Sequence, residues 1–433
     1  MTRPSGRSEL LALSQEALLR CEALAACTET TGQITRTFLS YPMKEVHQLL
    51  GMWMREAGLS VHVDAVGNVI GRLEGSGTAG NTLDSRAGDS RVLLIGSHVD
   101  TVPNAGKYDG CLGVTLGIAI AKALQLQGKR LPFALEIIAF SEEEGVRFAV
   151  PFIGSRALTG TINQALLEKT DAKGVTVAQA ITDFGLELSQ IAAATRDPAA
   201  LLGYFEIHIE QGPVLEDAKQ ALGVVEGISG QTRAQLEFTG QSAHAGTTPM
   251  RLRRDALVAA ASVILEVERL ARVTSGLVAT VGAMDVTPGA GNVIAGHAQF
   301  SLDVRHLDNA TRERCVAELL DFAWHTARKR NLSFAHKISL EQPASPSDPL
   351  LSDFLQDALE DAKLKALRLP SGAGHDAMVM ATITRSAMLF IRSPNGLSHH
   401  PDESVIPADV GKALEVALGF VEKLSDAHVR GVL

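Results

Sequence analysis

Two neighbouring segments, Leu94-Ile-Gly-Ser-His-Val-Asp-Thr-Val102 and Gly106-Lys-Tyr-Asp-Gly110, place an imidazole and two carboxylates directly after an apolar run, Val92 to Gly96. The run reads as a buried strand, so His98, Asp100 and Asp109 fall on loops at its carboxyl end, where open α/β sheets hold their ligands. His98 and Asp109 are metal-ligand types, and Asp100 is placed to orient the His98 ring from behind. The simpler alternative is a polar turn at the end of a strand.

Four further segments carry side chains of the same kind. Phe140-Ser-Glu-Glu-Glu-Gly145 follows the apolar Ile137-Ile-Ala run. Adjacent carboxylates repel one another and ordinarily make a solvated turn, but beside a metal one can ligate while its neighbour acts as general base. Glu206-Ile-His-Ile-Glu-Gln211 alternates, so His208 and Glu210 share a strand face with Glu206; a lone strand histidine can equally be structural. Leu397-Ser-His-His-Pro-Asp-Glu403 holds adjacent histidines in a loop, where one can ligate and the other stay exposed. His375-Asp376 sits in a Gly-rich turn, where backbone can approach a ligand closely.

The elements that must position these groups follow an α/β rhythm. After a helical stretch from residue 14 to 57, broken by a loop at Thr37–Pro42, the pattern gives a strand over 61–73 and a Gly/Ser/Asn/Asp-rich exposed connection over 75–91. Strand 92–96, helix 112–127, strand 133–139 and a loop at 141–147 imply a largely parallel sheet. From residue 227 the order changes to strand 231–239, helix 255–272, strands 277–286 and 292–305, helix 310–328 and strand 331–340, the β-α-β-β-α-β ferredoxin-like pattern. The α/β rhythm then resumes with helix 350–366, strand 387–391 and a terminal helix. The expected organisation is a catalytic domain over 1–226 and 342–433, interrupted by an inserted domain over 227–341.

Length and composition agree. The 433 residues exceed one ordinary domain, 45% are hydrophobic, and the net charge is −9 with no basic block, which argues against nucleic acid as a partner. Cys21, Cys27, Cys111 and Cys315 form no CxxC pair and read as free thiols of a reducing compartment. No signal-peptide pattern is evident at the start, and the most apolar helix candidate is shorter than the roughly 20 residues a bilayer needs. A soluble cytoplasmic protein without membrane contact is expected.

Taken in order, HxD, YDG, EEG, HIEQG and SHHPxE resemble the motifs of dinuclear metallo-amidohydrolases of the hydantoinase/carbamoylase family, within the wider aminoacylase and carboxypeptidase-like group. The resemblance runs over roughly residues 15–425. It implies a zinc-aminopeptidase-like α/β catalytic domain with a mostly parallel sheet and an inserted ferredoxin-like dimerisation (lid) domain. It implies two divalent ions per subunit, Zn2+ or Mn2+ with Co2+ or Ni2+ as further options, held by His98, Asp109 as the bridge, Glu144, His208 and His399. Glu143 is then the general base, Asp100 supports His98, and His400 is a loop residue. Ser242-Ala-His-Ala-Gly-Thr-Thr-Pro-Met250 is similar to a family segment whose histidine reaches across a dimer interface to polarise the scissile carbonyl, a role that falls to His244; without the resemblance this is an exposed turn histidine. Arg233, Asn292 and Arg305 fall at substrate positions, as do Gln211, Gly374 and His375. Arginines beside an acidic, metal-lined cleft suit a bidentate clamp on a substrate carboxylate, the alternative being surface ion pairs. Relatives usually carry Pro where this chain has Ala295.

Family members act on ureido acids. The stretches 35–40, 53–58, 105–110, 143–148 and 372–378 look most like those of the allantoate-hydrolysing members. The resemblance therefore implies a homodimer that converts allantoate to ureidoglycine, ammonia and carbon dioxide. N-carbamoyl-L-amino acids and 3-ureidopropionate are the alternative substrates, and an aminoacylase or metallopeptidase activity on the same scaffold is a more distant one.

Overall fold

The computed structural model describes residues 6–76 and 91–432, and most of the connection expected over 75–91 lies outside them. The chain divides into two compact units, Met1–Glu226 with Ser347–Leu433, and Gly227–Pro346.

The first unit is built on strands β1 (Ser60–Val63), β2 (Val69–Leu73), β3 (Val92–His98), β4 (Ala134–Phe140), β5 (Leu201–Ile209) and β6 (Leu222–Ile228). In the second unit lie β7 (Gly230–Thr239), β8 (Val278–Thr280), β9 (Met284–Thr287), β10 (His297–His306) and β11 (Ser333–Gln342). The chain then adds β12 (Ser345–Pro346), β13 (Arg368–Ser371) and β14 (Ser386–Ile391). The large sheet runs β1-β2-β4-β3-β5-β14-β6-β12, with β13 also on β6. Its centre, β4-β3-β5-β14, is parallel, while β2, β6 and β12 pair antiparallel toward the edges.

Every residue of β3, β4, β5 and β14 is buried. Strands covered on both faces need continuous apolar runs, and these supply them. For that reason Glu206-Ile-His-Ile, which alternates in sequence, lies in a strand with neither face open. The strand expected over 61–73 is instead a hairpin: β1 and β2 pair antiparallel around Gly67, whose φ of +88° and the Asp64 carboxylate capping the Val66 and Asn68 N–H groups turn the chain.

Helix Cys111–Leu126 is buried almost all round and packs on β3, β4 and β5, with helices Gly6–Ala26 and Pro407–Val429 on its other side. A glycine at 113 permits the close approach, because a Cβ there would run into the carbonyl oxygen of Ile207 in β5. Four parallel strands then end side by side. His98 closes β3, the 141–145 turn follows β4, His208 is the penultimate residue of β5, and the His399 loop follows β14.

The second unit is an antiparallel sheet ordered β11-β7-β10-β8, with β9 also on β10. With helices Ala256–Val273 and Asn309–Arg330 the order is β-α-β-β-β-α-β, which is the expected β-α-β-β-α-β pattern once β8 and β9 are taken as one broken strand. The strand expected over 277–286 is two short ones, and the unit runs on past residue 341 to Pro346. One sheet face, with Leu236, Phe238, Phe300 and Leu302, is buried with Val263, Val267 and Leu319 of the helices. The other is polar and carries Arg233, Asp303 and Arg305.

Alanine is ordinarily favoured over glycine inside a helix by about 1 kcal/mol. Gly113→Ala is expected to do the reverse, lowering stability by about 2 kcal/mol, because the added carbon meets a strand carbonyl that cannot yield. A denaturant midpoint at or above that of the parent chain would contradict this.

Candidate metal centre

At the carboxyl ends of β3 and β5 three acceptor atoms meet. The Nε2 atoms of His98 and His208 lie 3.5 Å apart, and both face Asp109 Oδ1, at 3.5 and 3.1 Å. The other ring nitrogens are committed: His98 Nδ1 is 3.1 Å from the Asp100 carbonyl, and His208 Nδ1 is 2.9 Å from the Ile209 carbonyl. A carbonyl only accepts, so each Nδ1 carries the hydrogen and each neutral ring turns a lone pair inward. Asp109 Oδ1 is buried and has no hydrogen-bond donor among the described residues. Buried acceptors facing one another without a hydrogen are costly unless a cation sits among them.

The second carboxylate oxygen of Asp109 faces His399 Nε2 at 3.3 Å, and that ring is 3.6 Å from Glu144 Oε2. The ligand atoms of His98, Asp109 and His208 lie within 4.8 Å of one another, as do those of Asp109, Glu144 and His399, and those of His98, Glu143 and Glu144. Asp109 thus stands between the two halves of the set. The donors are nitrogen and oxygen with no thiolate, and the orphaned Oδ1 between two inward lone pairs fits divalent ions of the zinc or manganese type.

Without an ion, protons answer the same electrostatic demand. Burial opposes charging His98, but Asp100 and Asp109 overcome it and hold the ring well above its ordinary range; His208 is raised in the same way by Asp109. Burial works against ionised Asp109 too, yet His208, His399 and His98 hold it well below the usual carboxylate range. Burial pushes Glu143 well up, with Glu144 adding to it, and pushes Glu144 to about 7, helped by Asp109. Its contact with Asp109 lifts His399 to about 9.

The candidate ligands are held by groups behind them. Asp100 accepts the Glu143 N–H at 3.0 Å and the Glu144 N–H at 3.1 Å, and its Oδ1 lies 3.3 Å from His98 Nδ1, so it orients the ring and the acidic turn together. Glu142 turns back to accept the Gly145 N–H. Gln211, with a φ of +60°, donates from Nε2 to Asp109 Oδ2 at 2.9 Å.

Three supports were not singled out from sequence. Ser398 donates to Asp109 Oδ2 at 2.9 Å. Glu403 accepts from the backbone of Tyr108 and Asp109. Arg36, fully buried, donates to the carbonyls of Val99, Leu24 and Cys27 and to Cys111 Sγ, gripping the His98–Asp100 and Asp109–Cys111 segments from one side. Ser398 and Glu403 stand in the quoted Ser-His-His-Pro-Asp-Glu run and Arg36 in Thr-Arg-Thr-Phe-Leu-Ser, but no spacing rule separates such residues from ordinary loop polars.

His375 packs edge-on against His208, with ring centroids 4.4 Å apart. Burial, with His208 beside it, keeps the ring neutral, well below its ordinary range. Glu206, His208 and His375 also cluster. Here, however, Glu206 is filled by Ser97, Tyr204 and the Ala377 N–H, and His375 bonds Ser371, so this trio is a support and not an open ligand set. Gly374, exposed beside His375, passes close to the Phe152 ring.

The remaining candidates lie in the second unit. His244 is exposed; its Nδ1 accepts the Gly246 N–H at 3.1 Å, which leaves Nε2–H of the neutral ring as an outward donor. Its loop bridges the 292–294 segment, where Ala245 N–H reaches the carbonyl of the exposed Asn292. Arg233 and Arg305 converge on one carboxylate, Asp303, at 3.0 and 2.9 Å, with Gln231 on the same oxygen as Arg233. Asp303 stands opposite Arg233 in the β7–β10 register and two residues from Arg305, so all share the polar face.

A parallel-centred sheet with an N/O ligand set across its strand ends, interrupted by an α+β insert, defines a metallohydrolase of the M20 type. The chain belongs to peptidase family M20/M25/M40, whose model matches residues 94–423. It is 38% identical to an allantoate deiminase of Arabidopsis thaliana, over 95% of this chain and 82% of that protein. It is 37% identical to an N-carbamoyl-L-amino acid amidohydrolase of Geobacillus stearothermophilus, over 92% and 95%. The structure is similar to that of a hydantoinase/carbamoylase-family amidase from Burkholderia multivorans, with a TM-score of 0.87 and 31% identity, covering 95% of this chain and 98% of that one. No helix among the described residues is long and apolar enough to cross a membrane.

The metal-free protein should lose stability as pH rises. His399 is raised from 6.5 to about 9, so the stability it contributes is full below 6.5 and is lost as pH climbs through about 9. Glu144, raised from 4.5 to about 7, has the same sign and loses its contribution as pH climbs through about 7. Thermal unfolding of chelator-treated protein should therefore show a midpoint falling between about pH 5 and about pH 9, with the upper part of the fall shallower in His399→Ala. A flat profile would refute it.

Proposed function

We propose that this chain is a dinuclear metal-dependent amidohydrolase that cleaves the ureido C–N bond of allantoate, yielding ureidoglycine, ammonia and carbon dioxide. The observation that carries the reading is the convergence of His98 Nε2, His208 Nε2 and the orphaned Asp109 Oδ1, with Glu144 and His399 on the other side of Asp109. The similarity to the plant allantoate deiminase supports the substrate class; the comparable identity to an N-carbamoyl-L-amino acid amidohydrolase makes that substrate the second reading.

His98, His208 and one oxygen of Asp109 would hold one ion, and Glu144, His399 and the other oxygen a second. Zinc or manganese suits these donors, with cobalt or nickel as substitutes. Bound there, divalent ions supply Lewis acidity that polarises a carbonyl and makes water nucleophilic near neutral pH.

The chain's own residues do the rest. The Glu143 carboxylate takes a proton from the attacking water and delivers it to the departing nitrogen, so the ureido carbonyl carbon gains an oxygen and ammonia leaves; the N-carboxylate that remains takes up a proton and loses carbon dioxide, which frees the amine of ureidoglycine. Burial suits Glu143 to that exchange, since a raised carboxyl affinity brings it toward the working pH of a general base. Asp100 fixes the Glu143 backbone and the His98 ring at once. His244 presents Nε2–H to the developing oxyanion, a contribution of roughly 3–4 kcal/mol per donor in related chemistry. Arg305 and Arg233, with Asn292, receive the substrate carboxylate. Asp303 engages Arg233 through Nε, which leaves its two NH2 groups for that carboxylate. Gly374, exposed in the turn, is the backbone position open to substrate there, and the buried His375 backs His208 behind it.

The assembly is a homodimer formed through the second unit, with His244 serving the partner's site. Supporting this, Leu257, Ala261 and Leu265 form an exposed apolar row at i, i+4, i+8 along helix Ala256–Val273.

Ammonia release in the presence of Zn2+ or Mn2+ should be fastest from allantoate, ahead of N-carbamoyl-L-amino acids and 3-ureidopropionate. Faster turnover of a carbamoyl amino acid would shift the substrate to the second reading. Glu143→Gln should keep its metal while turnover falls at least about 10²-fold; parental turnover would reassign the base. Mixing His244→Ala subunits with Glu143→Gln subunits, each nearly inactive alone, should restore activity by giving one site with both residues. No recovery despite subunit exchange would show that His244 does not act across an interface.

A further inference from the structure

The loop carrying Asp109 and the loop carrying His399 are far apart in sequence and are joined by one buried carboxylate, that of Glu403. Its Oε1 accepts two backbone hydrogen bonds, from Tyr108 N at 2.9 Å and Asp109 N at 3.1 Å. Its Oε2 lies 3.2 Å from Ser398 Oγ, the hydroxyl that also donates to Asp109 Oδ2 at 2.9 Å. Ser398 further receives Gln211 Nε2, which bonds the same Asp109 oxygen. Glu403 therefore touches Asp109 twice, once through the backbone and once through the serine that holds its side chain. The fit is close: a Cβ on Gly106 would overlap the Glu403 carboxyl, so the glycine is needed for the loop to pass.

We infer that Glu403 is a positioning residue that locks the 106–109 and 398–403 loops together and so holds Asp109 and His399 at the separation metal binding requires. The inference rests on the metal-centre reading above. A carboxylate shared between two halves of a ligand set must keep its backbone still, because a shift of one oxygen toward one half is a shift away from the other. Asp109 follows a turn and precedes Gly110, whose φ is +64°, so nothing in regular structure fixes it. Glu403 supplies that restraint by satisfying two adjacent N–H groups which the loop leaves unpaired. It makes no contact with the orphaned Oδ1, so it acts only through Asp109 and Ser398.

The test compares Glu403→Ala, Glu403→Gln and Gly106→Ala in the full chain, reading Zn2+ affinity by competition with a chelator, the thermal midpoint of the metal-free protein, and kcat and KM. Glu403→Ala should weaken Zn2+ binding by about 10–100-fold, the usual cost of losing a group that orients a ligand, and lower kcat with KM little changed. Glu403→Gln keeps an oxygen for both N–H groups and should bind Zn2+ within about threefold of the parent. Gly106→Ala keeps the carboxylate but displaces it, and should weaken binding as Glu403→Ala does. Unchanged Zn2+ affinity in Glu403→Ala, whatever its thermal midpoint, would overturn the inference and leave Glu403 a fold-stabilising residue. Equal losses in the Ala and Gln variants would overturn it in favour of a bare charge effect. If Glu403→Ala does not fold, parental affinity in Gly106→Ala overturns it instead. A parent chain that fails to bind Zn2+ or Mn2+ at all would sink the metal-centre reading itself, which separates the two failures.

Discussion

Everything around the site serves one constraint: acceptor atoms that repel one another must be kept together in a largely buried place. Two imidazole lone pairs and a carboxylate oxygen meet at 3.1–3.5 Å, with further carboxylates of Glu143 and Glu144 close by. Left to themselves such groups separate or take up protons. That they stay together means the surrounding structure holds each by its other end. Asp100 and the Ile209 carbonyl hold the two rings, Gln211 and Ser398 hold Asp109, and the Glu143–Glu144 backbone is pinned to Asp100.

The holding groups are themselves anchored in the sheet. Parallel strands covered on both faces leave their carboxyl ends as the one place where polar loops can gather, and β3, β4, β5 and β14 end side by side. Helix Cys111–Leu126 starts at the Asp109 loop and is pressed onto β5 through Gly113, which ties Asp109 to the strand that carries His208. Arg36 adds a buried cation that meets carbonyls and a thiol with no carboxylate among its hydrogen-bond partners; its charge is stationed close to an otherwise acidic centre.

The second unit follows a different logic. Its helices bury one face of an antiparallel sheet, and the open face gathers Gln231, Arg233, Asp303 and Arg305 into a network in which two guanidinium groups share one carboxylate, leaving positive charge in excess. Asp303, held below its ordinary range by the two arginines against the pull of burial, holds both guanidinium groups on that face. His244 has its tautomer set by a backbone N–H two residues on.

Side-chain chemistry was legible in the sequence wherever it rode on a periodic element or a compact motif. The apolar runs before His98 and before the acidic turn announced buried strands, and the change of rhythm at residue 227 announced the insert. The motifs nominated His98, Asp109, Glu144, His208 and His399 from five separate segments. Tertiary structure alone decided what depends on partners distant along the chain. It split residues 61–73 into a hairpin, because Asp64 caps a turn there. It made Glu206 a hydrogen-bonded support with Ser97 and Tyr204, although its spacing from His208 fits a ligand as well. It brought Arg36 under Val99, and Glu403 onto the backbone of Asp109. Periodicity records only the solvent and core faces of a local element. Whether a buried carboxylate or guanidinium holds a loop, an ion or another side chain is set by which chain segments fold against it, and that is not written in its spacing.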